Sequence, residues 1–257
     1  MATLKVALGE YDTGWHDVDA SLARASTLVR AAARSGAALV VLPEMTTTGF
    51  TMDTAGQAES RDGRSVTALR ALARDAGVAI VAGVPIRDGE RFYNEAFLFD
   101  AHGEITTEYR KQRVFRYAKE GEHYASGTEP CVVTLGGVRI ALLICFDLRY
   151  PELFRAVARD VDAVVLIANW PAARRAHWDA LVLARAIENQ CYVIAVNRTG
   201  EGGGLEYDGG SVVIGPWGER VASASDATGD TPAIATIDTD VVARVRREFP
   251  VLEGISR

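Results

Sequence analysis

Residues 138–160, VRIALLICFDLRYPELFRAVARD, hold a whole structural unit in one line. An apolar run of strand length closes on Cys145, FDLRY makes a turn, and Pro151 opens a segment of helical period, PELFRAVARD. That order reads as strand, turn and helix. The same order recurs on both sides of it. LKVALGE, from residue 4, reads as a buried strand followed by an amphipathic helix that puts Val18, Leu22, Ala25, Leu28, Val29 and Ala32 on one face. Asp17 is its N-cap and Gly36 lies just past its end. AALVVLP then reads as strand, SVTALRALARDAG as helix and VAIVAGVP as strand. FYNEAFLFDAHGEITTEY reads as two strands turning at His102-Gly103. Beyond the central unit come DAVVLIAN as strand, RAHWDALVLARAIENQ as helix, CYVIAVN as strand, and a hairpin in GSVVIGPWGERVASAS turning at Pro216-Trp217-Gly218.

The pattern is layered α/β, and no Pro- or Ser-rich linker interrupts it, so residues 1–257 are expected to form a single domain with 240–257 as a C-terminal tail. Both halves run strand, helix, strand, helix. Periodicity fits two stacked sheets with helices outside as well as one doubly wound sheet. The tail, DVVARVRREFPVLEGISR, is expected to carry a short helix that docks on a neighbouring subunit or on the chain's own core.

Composition removes several classes of function. With 48% hydrophobic and 24% charged residues the chain buries a sizeable core, and a net charge of −6 with no basic stripe argues against a nucleic-acid partner. The N-terminus lacks a basic stretch followed by an apolar one, and no apolar run reaches the length of a bilayer span, so a cytoplasmic protein with no membrane contact is expected. Cys131, Cys145 and Cys191 are odd in number and show no CxxC spacing, which suits free thiols in a reducing compartment.

Three residues carry chemistry. A cysteine that closes an apolar strand is ordinarily an inert core thiol, but Cys145 stands at a strand-to-helix turn, where backbone N–H groups and the helix dipole favour a thiolate and a developing oxyanion. Glu44 follows VVLP in the same way, delivering a carboxylate directly after an apolar strand, although a capping or surface glutamate would read alike. Lys111, in the charged segment EYRKQRVFRYAKE, would ordinarily be solvated. A Cys–His pair would draw on His16, His102, His123 or His177, and sequence position alone rejects none of them. No HExxH or paired His/Cys spacing points to a metal, and TGEGGGLEYDGG precedes a strand and lacks a following Lys-Ser/Thr, so it reads as a flexible loop near a site mouth.

Taken together, LPEMTTTGF, KQRVF followed by EGEHYASG, and LLICFDLRYPELFR resemble, in order, the three signature regions of the nitrilase superfamily of carbon–nitrogen hydrolases. The resemblance continues through ANWPAARRAHWDALVLARAIENQCYVIAVNRTG to YDGGSVVIGPWGE and covers nearly the whole chain. It implies an α-β-β-α sandwich of two stacked mixed sheets with helices outside, assembled into homodimers or larger homo-oligomers, with no metal or organic cofactor. It places the family's glutamate on Glu44, its lysine on Lys111, its nucleophilic cysteine on Cys145 and a second glutamate on Glu120. The implied reaction forms a thioester: Glu44 takes the thiol proton, and Lys111 with the backbone N–H of Phe146 stabilises the oxyanion.

ANWP, ARAIENQ, VNR and HYASG are most similar to the omega-amidase branch, which implies hydrolysis of the terminal amide of 2-oxoglutaramate and similar short monoamides. The candidates around such a small-molecule amide are Phe146, Tyr117, Trp170, Arg174 and Tyr207, with Arg116 and Arg175 as further cations. KQRVF departs from the His-Leu-Phe more usual after the family's lysine, so Arg113 and Val114 are expected to reshape the pocket wall. Other superfamily activities, on aliphatic amides, N-carbamoyl amines or nitriles, are the alternatives within enzymes. A catalytically silent interaction protein on the same scaffold is disfavoured by the intact Glu44, Lys111 and Cys145.

Overall fold

In the computed structural model, which describes residues 1–254, the chain lays down β1 (Thr3–Leu8), α1 (Val18–Arg34), β2 (Leu39–Val41), α2 (Thr54–Gln57), α3 (Arg64–Ala76), β3 (Ala79–Asp88), β4 (Arg91–Phe99) and β5 (Ile105–Arg110). The second half supplies α4 (Glu120–His123), β6 (Val132–Leu135), β7 (Val138–Ile144), α5 (Pro151–Val157), β8 (Ala163–Ile167), α6 (Arg175–Asn189), β9 (Tyr192–Val196) and a hairpin of β10 (Thr199–Gly202) and β11 (Leu205–Asp208). The order closes with β12 (Val212–Ile214), β13 (Arg220–Ser223), β14 (Ile234–Asp238) and α7 (Thr239–Glu248). Residues 255–257 of the expected tail lie outside the described residues.

Two mixed sheets result, in the orders β14-β1-β2-β3-β4-β5 and β13-β12-β9-β8-β7-β6. Each contains a parallel triple, β1-β2-β3 in one and β7-β8-β9 in the other, flanked by antiparallel strands in the same succession. The fold is therefore the layered α-β-β-α arrangement, and a single doubly wound sheet does not occur.

Alternation along the strands explains the layers. Leu4, Val6 and Leu8 of β1 join Val41, Val81 and Leu98 in a core shared with β7, β8 and β9 of the other sheet. Ala7, Val40, Ile80 and Phe97 point the other way and meet Ala25 and Val29 of α1 and Val66 and Leu69 of α3. On the outer side of the second sheet Phe154, Trp178, Val182 and Ala186 bring α5 and α6 into the core. Asp17 caps α1 by accepting from the Ala20 N–H, and the left-handed Gly77 ends α3.

The tail docks on its own core. Val242 and Val245 of α7 are buried. Arg246 donates to the carbonyls of Ala158 (2.8 Å), Val161 (2.8 Å) and Gln190 (3.1 Å), tying the C-terminal helix to the ends of α5 and α6. Replacing Arg246 with Met removes these charge-assisted bonds, and a loss of about 2 kcal/mol is expected. It should be read as a lower urea midpoint at unchanged slope. An unmoved midpoint would mean that the tail adds nothing to stability.

Candidate active site

The C-terminal ends of the parallel triples meet across the inter-sheet seam. Glu44 follows β2 and Asn169 follows β8, the matching central strand of the other sheet, and the two residues bind each other. The Asn169 N–H donates to Glu44 Oε2 at 2.8 Å, and Asn169 Nδ2 donates to the Glu44 carbonyl at 2.5 Å. Gly83 on β3 allows the approach, because a Cβ there would stand 2.9 Å from Glu44 Cα and 2.8 Å from the Met45 nitrogen.

Glu44 is fully buried, and so is its surrounding network. Its Oε1 accepts from Lys111 Nζ at 2.9 Å and from Asn94 Nδ2 at 2.7 Å. The same two donors also reach Glu120, Lys111 Nζ at 3.0 Å from each carboxylate oxygen and Asn94 Nδ2 at 3.0 Å from Oε1. The Asn94 amide is oriented by this contact, since both of its neighbours are acceptors. Lys111 enters directly after β5, its N–H donating to the Asn94 carbonyl of the paired strand β4 at 2.9 Å. Burial alone would lower the ammonium pKa, but the Glu120 and Glu44 carboxylates outweigh it and hold the pKa above its ordinary value. Lys111 is thus a fixed cation between two carboxylates.

A carboxylate offers about four lone-pair sites. Oε1 of Glu44 already accepts two donors, whereas Oε2 accepts only the Asn169 N–H, so Oε2 is the oxygen free to take a proton.

Cys145 ends β7 in a left-handed conformation, φ 45°, at the first residue of a short helical turn. Its Sγ lies 3.8 Å from the Asn169 carbonyl. Burial and the nearby Glu44 carboxylate push the thiol pKa well above its usual value, with Lys111 opposing, so the resting group is a thiol. Cys131 and Cys191 are buried elsewhere, and burial pushes Cys191 up to about 12.

Cys145, Lys111 and Asn169 line a cavity of about 310 Å³. Phe146, Trp170, Arg174 and Tyr207 line it too, together with Trp15, Phe50, Phe115, Arg149 and Leu205. Tyr117 does not: it stands on a turn after Phe115, 89% exposed, with its ring against Phe115, which corrects the expectation that it faces the substrate. Arg116 is outside the cavity, and Arg175 is engaged with Asp179 and Asp208. Of the KQRVF segment, Lys111 and Phe115 line the cavity, whereas Arg113 pairs with Glu152 and Val114 is outside the wall, which corrects the expectation that those two reshape it. The glycine-rich stretch expected as a loop is the β10–β11 hairpin, and its Gly202, Gly203, Leu205 and Tyr207 form one side of the cavity.

Arg149 was not singled out from the sequence. Its guanidinium lies 4.8 Å from the Trp170 ring centroid, and that of Arg174 lies 5.4 Å from the Phe115 ring. Among the described residues neither forms an ion pair with a carboxylate, and burial together with the neighbouring Arg174 lowers the Arg149 pKa. Asn94 and Asn169 were missed as well. A strand polar residue among apolar ones, YNEAF, and a second polar residue directly after an apolar strand, LIAN, were their signals.

None of the four histidines lines this cavity, so a Cys–His pairing has no geometry here. Among the described residues no cluster of His, Cys, Asp and Glu could hold a metal ion, and no helix is long and apolar enough to cross a membrane.

Comparison with known proteins agrees with this geometry. Residues 5–247 match the carbon–nitrogen hydrolase family. A 2-oxoglutaramate amidase of Bacillus subtilis is 37% identical over 222 residues, 85% of each chain, and an omega-amidase of Escherichia coli is 36% identical over 251 residues, 97% of this chain and 96% of the relative. The crystal structure of a CN-hydrolase superfamily protein from Xanthomonas campestris, with an arsenic adduct in its active site, superposes with a TM-score of 0.92 at 34% identity. It covers 100% of this chain and 99% of that one. An amidase from Nesterenkonia superposes with a TM-score of 0.83 at 29% identity over 97% of this chain and 95% of its own. A variant of that amidase shows covalent addition of the acetamide moiety of fluoroacetamide at its active-site cysteine. The chain belongs to the carbon–nitrogen hydrolases of the nitrilase superfamily and is an enzyme of their amidase kind.

Proposed function

We propose that this enzyme hydrolyses the terminal amide of a short carboxylic monoamide, 2-oxoglutaramate-like, to the acid and ammonia through a thioester on Cys145. The observation that carries the substrate class is the pair of guanidiniums, Arg149 and Arg174, lining a largely aromatic cavity with, among the described residues, no carboxylate paired to either. Two cations left unpaired in a half-dry pocket call for an anion, and a planar carboxylate suits the guanidinium fork. The similarity to the omega-amidase and the 2-oxoglutaramate amidase points the same way.

In this reading Glu44 Oε2 takes the Cys145 proton as Sγ attacks the amide carbon, so no free thiolate is needed at rest. Lys111 and the Phe146 N–H stabilise the oxyanion. Glu44 returns the proton to the departing ammonia, leaving the thioester. It then deprotonates a water that attacks the acyl carbon, and Sγ leaves with the proton. Glu120 and Asn94 hold Lys111 and Glu44 in register throughout.

A panel read by ammonia release tests the substrate class. Succinamate or glutaramate is expected to exceed butyramide in kcat/KM by about tenfold or more, and Arg174→Met is expected to raise KM for the carboxylated amides by about 10–100-fold. A wild-type preference for butyramide, for a nitrile or for an N-carbamoyl amine would overturn the assignment.

A further inference from the structure

Asp147 is fully buried, yet among the described residues its carboxylate has no ion-pair partner. What it has is three donors from the two sides of the seam. Oδ2 accepts from the Ile144 N–H at 3.0 Å and from the Tyr109 hydroxyl at 2.8 Å, and Oδ1 accepts from the Arg113 N–H at 2.8 Å. Ile144 and Asp147 bracket Cys145 in sequence, and Tyr109 and Arg113 bracket Lys111. One carboxylate therefore joins the turn that holds the nucleophile to the segment that holds the cation. The turn needs holding, because Cys145 has a positive φ that a residue with a side chain seldom adopts.

We propose that Asp147 is a positioning residue, its carboxylate clamping the Cys145 turn to the Lys111 segment, and that taking up a proton loosens the clamp and slows the reaction while the fold persists. The inference rests on Cys145 as the nucleophile and is independent of which amide is cleaved.

Protonation turns three charge-assisted bonds into ordinary ones, each about half as strong. Burial pushes Asp147 up to about 6, against the Ile144 N–H, the Lys111 charge, the Tyr109 hydroxyl and the Arg113 N–H. The charged and titratable groups around it are Tyr109, Lys111 and Arg113 on the β5 side, Cys145 in its own turn, and Arg185 of α6, which binds the adjacent Leu148 carbonyl. A folded pKa above the unfolded one means that the folded state gains the proton more readily. Protonation of Asp147 on falling through pH 6 thus favours the folded chain, so its own titration does not unfold the molecule.

The experiment follows two readouts from pH 4.5 to 8: kcat on any amide the enzyme turns over, and the substrate-independent rate of Cys145 alkylation by iodoacetamide. The wild type is expected to lose rate with a midpoint near 6 while Tm does not fall across it. Tyr109→Phe removes a donor to the charged form, so the midpoint should move to higher pH. Asp147→Asn should lose the inflection near pH 6, keep only the pH dependence that the thiol chemistry itself imposes, and run about 10²-fold slower at pH 7.5 in both readouts. A midpoint unmoved in Tyr109→Phe, or an inflection near pH 6 that persists in Asp147→Asn, would overturn the proposal; if Asp147→Asn does not fold, Tyr109→Phe decides alone.

Discussion

Cys145→Ala is expected to reduce ammonia release by at least about 10³-fold, to background, while leaving the circular dichroism spectrum unchanged. The side chain is small and borders the cavity, so the stability cost should stay near ~1 kcal/mol. Iodoacetamide on the wild type should label Cys145 before Cys131 or Cys191, since neither of those lines the cavity. Peptide mass mapping reads the label. Retained turnover in the variant, or first labelling at another cysteine, would remove the thioester from the mechanism.

The second large effect is expected at Lys111. In Lys111→Met the buried carboxylates of Glu44 and Glu120 keep Asn94 Nδ2 between them but lose the one cation paired with them among the described residues. Breaking a buried pair in this way costs about 3–5 kcal/mol, so both rate and stability should fall, whereas a lysine that merely touched the substrate would cost rate alone. A variant as stable as the wild type at pH 7.5 would contradict the network.

The parts of the fold that sequence made legible were those with an unbroken physical signal. Strands β8 and β9 are continuous apolar runs buried on both faces, β7 is one from Ile140 onward, and α1 and α3 carry a regular apolar stripe with capping residues at their ends. Strands β6 and β14 were not read because they are short and half-wet, with Val132 of β6 45% exposed, and such strands look like loops when no turn signal joins them to a partner. The β10–β11 hairpin was hidden for a different reason. Gly203 and Gly204 supply the positive φ its turn requires, and a cluster of glycines reads as flexibility before the partner strand is known.

The candidate site divides in the same way. Glu44 and Cys145 could be seen one at a time, each as a polar residue at the stop of an apolar run. Lys111 and Glu120 stood out only through the family resemblance, because a lysine in a charged segment carries no local mark of burial. Asn94, Asn169 and Arg149 act through neighbours far away in sequence, and only the folded seam brings them together. Tyr117 shows the converse: its segment reaches the cavity at Phe115, and two residues later the turn has carried the side chain into solvent.

The matched parallel triples have one more consequence. Glu44, Asn94 and Lys111 hang from one sheet, and Cys145 and Asn169 from the other, so neither half of the chain owns the whole of the proposed reaction centre. In the proposed mechanism, the core between the sheets is what keeps the base, Glu44, beside its nucleophile, Cys145. Reaction rate therefore serves as a gauge of sheet-to-sheet alignment, able to report a slip too small for spectroscopy long before the molecule comes apart.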